Sequence, residues 1–141
     1  MNLPNGIFTI ENEAGEHRTI KIRTQKEDAN FAPGERIASL LTGPENESDY
    51  QGFAFVKEDG FRVWKSKRGK NRISTFEWYA RILELVDLTP DEMEEVEISV
   101  KLRDRTYKIL IEKRCMVCNR RLTTPESIRT GIGPVCAGRV S

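Results

Sequence analysis

The chain has 141 residues, of which 38% are hydrophobic, 8% aromatic and 32% charged, and its formal net charge is +1. This length accommodates one domain of ordinary size with a modest core. The sequence has no apolar run long enough to cross a bilayer, and its first residues lack the basic and apolar parts of a signal peptide, which together predict a cytoplasmic protein.

The first half of the chain predicts a β-rich body. Segments of alternating apolar and polar residues predict five strands, over residues 6–12, 17–24, 36–41, 52–56 and 61–65. The first two segments flank a short turn that contains Gly15. The last two flank Asp59-Gly60, which is a strong signal for a tight turn. The sequence therefore predicts two β-hairpins with a single strand between them.

The period of the hydrophobic pattern then changes. Ser74 with Glu77 three residues later forms a capping box, and apolar residues recur at helical spacing from Phe76 onward. This pattern predicts a helix over residues 75–86. Thr89-Pro90 repeats the capping signal and predicts one further helical turn.

Alternation returns near the C-terminal end. Residues 96–103 and 107–111, on either side of Asp104-Arg105, predict another hairpin, and its second strand runs directly toward Cys115. A short helix is predicted to begin near Thr124-Pro125, where the capping signal appears a third time.

All three cysteines lie within 22 residues, at Cys115, Cys118 and Cys136. A Cys-x2-Cys pair followed by a third cysteine after a Gly/Pro-rich approach is typical of small zinc modules, because thiolates suit tetrahedral Zn²⁺. The fourth ligand stays open. It is His17, the single histidine, or a carboxylate such as Glu126, or a water, or a residue of a partner chain. The alternative is a metal-free site of three buried thiols.

These patterns predict an α+β fold. We expect a small antiparallel sheet or partly closed barrel with one main helix and a C-terminal zinc-knuckle module. The predicted division places the β-rich body with its helix in residues 1–95, and the hairpin with the three-cysteine module in residues 96–141.

The cysteine segment also resembles a known family. The pattern Cys-x2-Cys-x-Arg-x-Leu-Thr-x-Pro-x-Ser-x3-Gly-x-Gly-Pro-x-Cys runs from Cys115 to Cys136. It is similar to an uncharacterised three-cysteine zinc module of phage and bacterial accessory proteins. Asn119 stands where glycine is usual, and asparagine also tolerates the left-handed conformation. The resemblance implies a metal site and a phage protein acting in the host cytoplasm, but no established biochemical role.

Basic residues concentrate in two places. Residues 101–141 hold 10 Lys/Arg against 3 Asp/Glu, whereas residues 1–100 hold 13 against 19. Such asymmetry favours contact with a polyanion, although opposite charges that attract within the fold produce the same pattern. The candidate nucleic-acid-binding residues are Arg62, Lys65, Lys67, Arg68, Lys70, Arg72, Arg114, Arg120 and Arg121. Phe61 and Trp64, interleaved with these charges, either stack on bases or face the core.

The leading hypothesis is a small, non-enzymatic zinc-binding protein that binds DNA or RNA through its basic C-terminal module and residues 62–72. The first alternative is a protein-interaction module that inhibits a host defence protein through acidic surfaces at residues 45–49 and 91–97. A third, weaker hypothesis is small-nucleotide binding by the sheet. No catalytic residue is nominated, because a single histidine and the lack of a Walker loop leave no catalytic set.

Overall fold

A computed structural model describes residues 3–43, 49–88 and 97–111, the backbone of 113–114 and 121–122, and Pro125. Five predicted features lie largely or wholly outside these residues: the acidic surface at 45–49, the helical turn at 89–92, the acidic surface at 91–97, the short helix near residues 124–125 and the three cysteines.

Within the described residues the secondary structure consists of nine strands, one α-helix and a 3₁₀ turn at Lys65–Lys67. The strands and the helix are β1 (Gly6–Glu11), β2 (His17–Thr24), β3 (Arg36–Leu41), β4 (Tyr50–Lys57), β5 (Gly60–Val63), α1 (Thr75–Glu84), β6 (Glu97–Leu102), β7 (Arg105–Ile111), β8 (Lys113–Arg114) and β9 (Arg121–Leu122). The helix begins where the capping box predicts and ends two residues earlier than predicted, because Leu85 closes its last turn with a backbone bond to Ile82.

Seven of these strands form one antiparallel sheet in the order β5-β4-β3-β2-β1-β7-β6. From β1 to β5, each strand pairs with the strand that follows it in the chain. The other side of β1 pairs with β7. The hairpin of residues 97–111, which the sequence analysis grouped with the C-terminal module, is thus part of the main sheet. An antiparallel sheet with one helix confirms the coarse prediction of the fold.

The contacts of the helix show that the sheet is curved. α1 contacts both β5 and β6, which lie at opposite edges of the sheet. A flat sheet of this width does not bring both edges to one helix, so the strands curve around α1 as a half-barrel. Between helix and sheet lies a core that includes Phe8, Ile10, Ile82 and Leu83, all at most 1% exposed. No described α-helix is long and apolar enough to span a membrane.

The β4–β5 hairpin corrects one detail of the prediction. Lys57 pairs with Gly60, so the two turn residues are Glu58 and Asp59, and Gly60 is the first residue of β5. Gly60 has a φ of +152°, and a Cβ at this position would lie 2.7 Å from Oε2 of Glu84. Glycine is therefore required for the backbone conformation, whereas the flexible Glu84 side chain could move away from a Cβ.

A β-bulge decides which side chains of β4 face the helix. Ala38 pairs with Ala54, but the next residue of β3, Ser39, pairs with Gly52, so Phe53 is the extra residue. Phe53 is fully buried in the core. Because side chains alternate along the rest of the strand, Gly52 and Phe55 lie on the opposite face, which we call the outer face.

Candidate nucleic-acid interface

The basic segment, defined as residues 62–72, connects the edge strand β5 to α1. It contains six basic residues and no acidic residue. Arg62 lies on β5, Lys65 and Lys67 lie in the 3₁₀ turn, and the other three follow that turn. The structure therefore places all six predicted residues of this segment on one continuous connection at the edge of the sheet.

The cap of α1 holds this connection in place. The Ser74 hydroxyl accepts a hydrogen bond from the Glu77 amide at 3.2 Å and donates one to the Lys67 carbonyl at 2.6 Å. Oε1 of Glu77 accepts from the amides of Ser74, at 3.2 Å, and Gly69, at 2.6 Å. The predicted capping box is thus present, and the same two side chains fix the backbone of the basic segment against the helix.

These bonds perturb the acid of the cap. The pKa of Glu77 lies below the ordinary glutamate value, first because of the hydrogen bond from the Gly69 amide and then because of that from Ser74. Both amides stabilise the ionised carboxylate and neither can bond to its proton. Glu77 therefore holds the basic segment as an anion.

Gly69 allows the basic segment to bend tightly. A Cβ at this position would lie 1.7 Å from the backbone carbonyl oxygen of Arg72, a distance at which one of the two must move. Only glycine permits this approach of one part of the segment to the other. The bend therefore brings the backbone of Arg72 against that of Gly69.

Three of the six basic side chains have partners in the protein. Arg62 Nη2 lies 2.8 Å from Oδ2 of Asp59 in an exposed ion pair, and this hydrogen bond lowers the pKa of Asp59. Arg68 Nε donates to the Val63 carbonyl at 2.9 Å. The ammonium of Lys67 lies 5.4 Å from the centre of the Phe76 ring on α1.

The other three basic residues are Lys65, Lys70 and Arg72, and all are exposed. Within the described part of the chain the side chains of these three residues make no hydrogen bond and no ion pair. Their charges are therefore available to a ligand without breaking an existing contact.

Trp64, within the basic segment, and Phe61, immediately before it, point to opposite faces of the sheet. Phe61 is 7% exposed and belongs to the core, as the second interpretation of the sequence predicted. Trp64 is half-buried on the outer face instead. Its ring centre lies 5.5 Å from that of Phe55 and 5.4 Å from that of Phe31. Phe61 and Trp64 are three residues apart in an extended segment, and this spacing already predicts that they lie on opposite faces.

The aromatic patch, defined as Phe31, Phe55 and Trp64, was missed by the sequence analysis. Phe31 and Phe55 stack with ring centres 6.1 Å apart, and Phe31 is 53% exposed. Gly52 supports the patch, since a Cβ there would lie 2.9 Å from Cη2 of Trp64. The available signal was an apolar Phe31 in an otherwise polar loop.

A groove between the start of α1 and the turn that joins β6 to β7 is the place where small-nucleotide binding would occur. It has a volume of about 600 Å³, and its lining includes Trp78, Arg103 and Arg105. The guanidinium carbon of Arg103 lies 5.6 Å from the centre of the Trp78 ring. The same lining carries Glu16 and Asp104, so its acidic and basic residues balance and do not favour an anion.

The C-terminal candidates are only partly described. Arg114 in β8 pairs with Arg121 in β9, which brings together the two ends of the segment 115–120 that contains Cys-x2-Cys. Arg120 and the cysteines Cys115, Cys118 and Cys136 lie outside the described residues. His17 is exposed at the start of β2, opposite Glu11. Among the described residues, no group of three or more His, Cys, Asp or Glu side chains is suited to hold a metal.

Comparison with known proteins bears on this C-terminal part alone. A family model described as a family of unknown function, DUF6011, matches residues 111–141. Comparisons with curated proteins and with solved structures gave no significant match. The match supports the resemblance of the cysteine segment to an uncharacterised family, whereas its zinc chemistry stays a prediction.

Proposed function

We propose that this protein is a non-enzymatic accessory protein that binds nucleic acid through its basic segment. One observation carries the proposal: an exposed connection with six basic and no acidic residues is fixed by hydrogen bonds to the cap of α1. A basic segment held in this way presents its charges without the entropic cost of ordering a mobile loop on binding.

The chemistry of the contact is the neutralisation of phosphates. Lys65, Lys70 and Arg72 are exposed and make no described ion pair, so each can approach a phosphate and release a counterion. On a single strand each neutralised phosphate contributes about 0.7 to the slope of log affinity against log salt. Three such contacts therefore account for a slope of about 2.

The test is a fluorescence anisotropy titration of a labelled oligonucleotide at several salt concentrations. Replacing Lys65, Lys70 and Arg72 together by glutamine should weaken binding and reduce the magnitude of the salt slope by about 2. The matched control replaces Lys26, Arg81 and Lys101, which are also exposed, and has the same change in net charge. Absence of binding by the wild-type protein at low salt, or equal loss in both triple variants, would refute the proposal.

The C-terminal module supplies the second part of the proposal. Arg114, Arg120 and Arg121 extend the phosphate contact, supported by the excess of basic residues in 101–141. The salt dependence of binding also tests this part, because replacing these arginines should further reduce the magnitude of the slope of log affinity against log salt.

Zinc bound by Cys115, Cys118 and Cys136 would stabilise the module, because thiolates are preferred zinc ligands. The pairing of β8 with β9 around the first two cysteines supports this assignment. Metal analysis of the purified protein should give one zinc per chain, lost in Cys136→Ser. Retention of zinc in Cys136→Ser would refute the ligand set, and His17→Ala determines whether His17 is the fourth ligand.

A further inference from the structure

The aromatic patch is an apolar surface on the outer face, beside the basic segment. Phe31 lies across Phe55 in a near-parallel stack and meets Trp64 edge to face. Of the large hydrophobic side chains described, only Phe31, at 53%, and Leu85, at 46%, are strongly exposed. One face of a phenyl ring is thus presented to solvent on a support of two further rings.

The loop that carries Phe31 is fixed by hydrogen bonds. The Gln25 side-chain amide donates to the Phe31 carbonyl at 3.0 Å, and the Gln25 carbonyl accepts from the Gly34 amide at 3.2 Å. Ala32, the next residue, has a φ of 46°, in the left-handed region that side chains rarely adopt. These bonds therefore hold the backbone at Phe31 in position before any ligand binds.

Contacts between rings, rather than a hydrogen bond, place the indole beneath Phe31. Nε1 of Trp64 is buried, and no acceptor reaches it within the described residues. Leaving such a donor unpaired costs roughly 1–3 kcal/mol. A buried donor left unpaired in a native structure calls for a structural or functional explanation.

Cations flank the patch on both sides. Across the outer face, Arg23, Ile37, Phe55 and Arg62 occupy directly opposed positions on β2, β3, β4 and β5. Directly opposed residues share a face of the sheet, so the row that contains Phe55 ends in an arginine at each side. Lys57 lies close by, with its ammonium 5.5 Å from the centre of the Phe55 ring, and it forms an ion pair with Glu35 at 2.8 Å. Arg62 is likewise paired with Asp59, whereas Arg23 makes no ion pair among the described residues. A partner with flat apolar groups and with negative charge near Arg23 and the basic segment fits this surface.

We propose that the aromatic patch binds single-stranded nucleic acid, with an unpaired base stacked on Phe31 and the adjacent phosphates at the basic segment and Arg23. This inference rests on the proposed function and specifies its ligand. Exposed rings among basic residues are how single strands are bound without a sequence code. In a duplex the base faces are already stacked within the helix, so the patch discriminates against it.

The experiment measures binding of a fluorescein-labelled oligothymidylate about 16 nucleotides long, the upper end of the site sizes typical of such proteins. Phe31→Ala should weaken this binding by about 5- to 100-fold, the usual effect of removing one stacking ring. Phe31→Trp should retain the affinity. Leu85→Ala is the matched control, because it removes the other exposed hydrophobic side chain, at the end of α1.

The outcomes separate this inference from the proposed function. If the triple charge variant loses affinity while Phe31→Ala keeps it, stacking is refuted and the proposed function stands. If Phe31→Ala weakens binding to a duplex of the same length by the same factor, stacking is also refuted. If the wild-type protein binds neither oligonucleotide at low salt, both proposals fail. Selective loss of single-strand affinity in Phe31→Ala, with rescue in Phe31→Trp, supports the inference.

Discussion

Replacing Ser74 by alanine tests whether the helix cap holds the basic segment. The hydroxyl makes two bonds, one from the Glu77 amide and one to the Lys67 carbonyl. Removing a serine N-cap costs about 0.5–2 kcal/mol, and losing one further hydrogen bond costs about 0.5–1.5 kcal/mol. Because Ser74 is only half-buried, water compensates part of this loss. We expect Ser74→Ala to lower the free energy of unfolding by about 2 kcal/mol.

The assay is urea unfolding followed by circular dichroism. For a protein of this size, with a slope of about 2 kcal/mol per molar urea, the midpoint should fall by roughly 1 M. The control is Ser66→Ala, which removes an exposed serine from the 3₁₀ turn. Ser66 makes no hydrogen bond within the described residues, so its removal should change stability by less than about 0.5 kcal/mol.

A second variant separates the two bonds of Ser74. Aspartate is as good an N-cap as serine, but an ionised carboxylate cannot donate to the Lys67 carbonyl. Ser74→Asp should therefore recover about half of the stability lost in Ser74→Ala. Equal midpoints for Ser74→Ala and Ser66→Ala would refute the proposed role of the cap, and full recovery in Ser74→Asp would refute the contribution of Lys67.

Three further predictions concern the cap, the patch and the core. The pKa of Glu77 is lowered in the folded state, so the contribution of Glu77 to stability is present above the ordinary value of 4.5 and is lost as pH falls through the folded-state pKa. Urea midpoints should therefore fall more steeply with acid in the wild type than in Glu77→Gln. Parallel curves for the two proteins would contradict this. Gly52→Ala should displace the indole of Trp64, which should lower stability by about 1–3 kcal/mol and shift the tryptophan emission measured in a Trp78→Phe background. An unchanged spectrum would show that the indole does not lie on Gly52. Phe8→Ala removes a side chain with 0% exposure and should cost about 3–5 kcal/mol in urea unfolding, and a loss below about 1 kcal/mol would place Phe8 outside the core.

Local structure was predictable because its causes lie within a few residues. Strand β2 has the predicted bounds, since its alternation reflects one face packed on the core. The start of α1 was equally clear, because Ser74 and Glu77 satisfy the first amides of the helix. The order of the strands had no such signal. The pairing of Thr9 with Leu110 depends on which edge of β1 remains available after β2 has paired with the other.

The charge of the candidate site was predictable from the sequence, but the position of its aromatic residues was not. Composition alone identified the basic segment, because six cations without an acid are visible in the sequence. The aromatic patch required the fold. Phe31 is distant in sequence from Phe55, and the bulge opposite Ala38 determines which residues of β4 reach the outer face. A bulge of one residue leaves little trace in a hydrophobic pattern.

The proposed interface and the core share strands but use different side chains. Phe53 on β4 and Phe61 on β5 face the helix, whereas Phe55 and Trp64 lie on the outer face. Replacing Phe31, which is 53% exposed, should therefore change affinity with little change in the free energy of unfolding, and the reverse should hold for the core as long as the variant stays folded. Gly52 is the exception, since the position of Trp64 depends on it directly. Loss of both stability and single-strand affinity in Gly52→Ala, beside loss of affinity alone in Phe31→Ala, would show that the patch acts as one surface supported by the sheet.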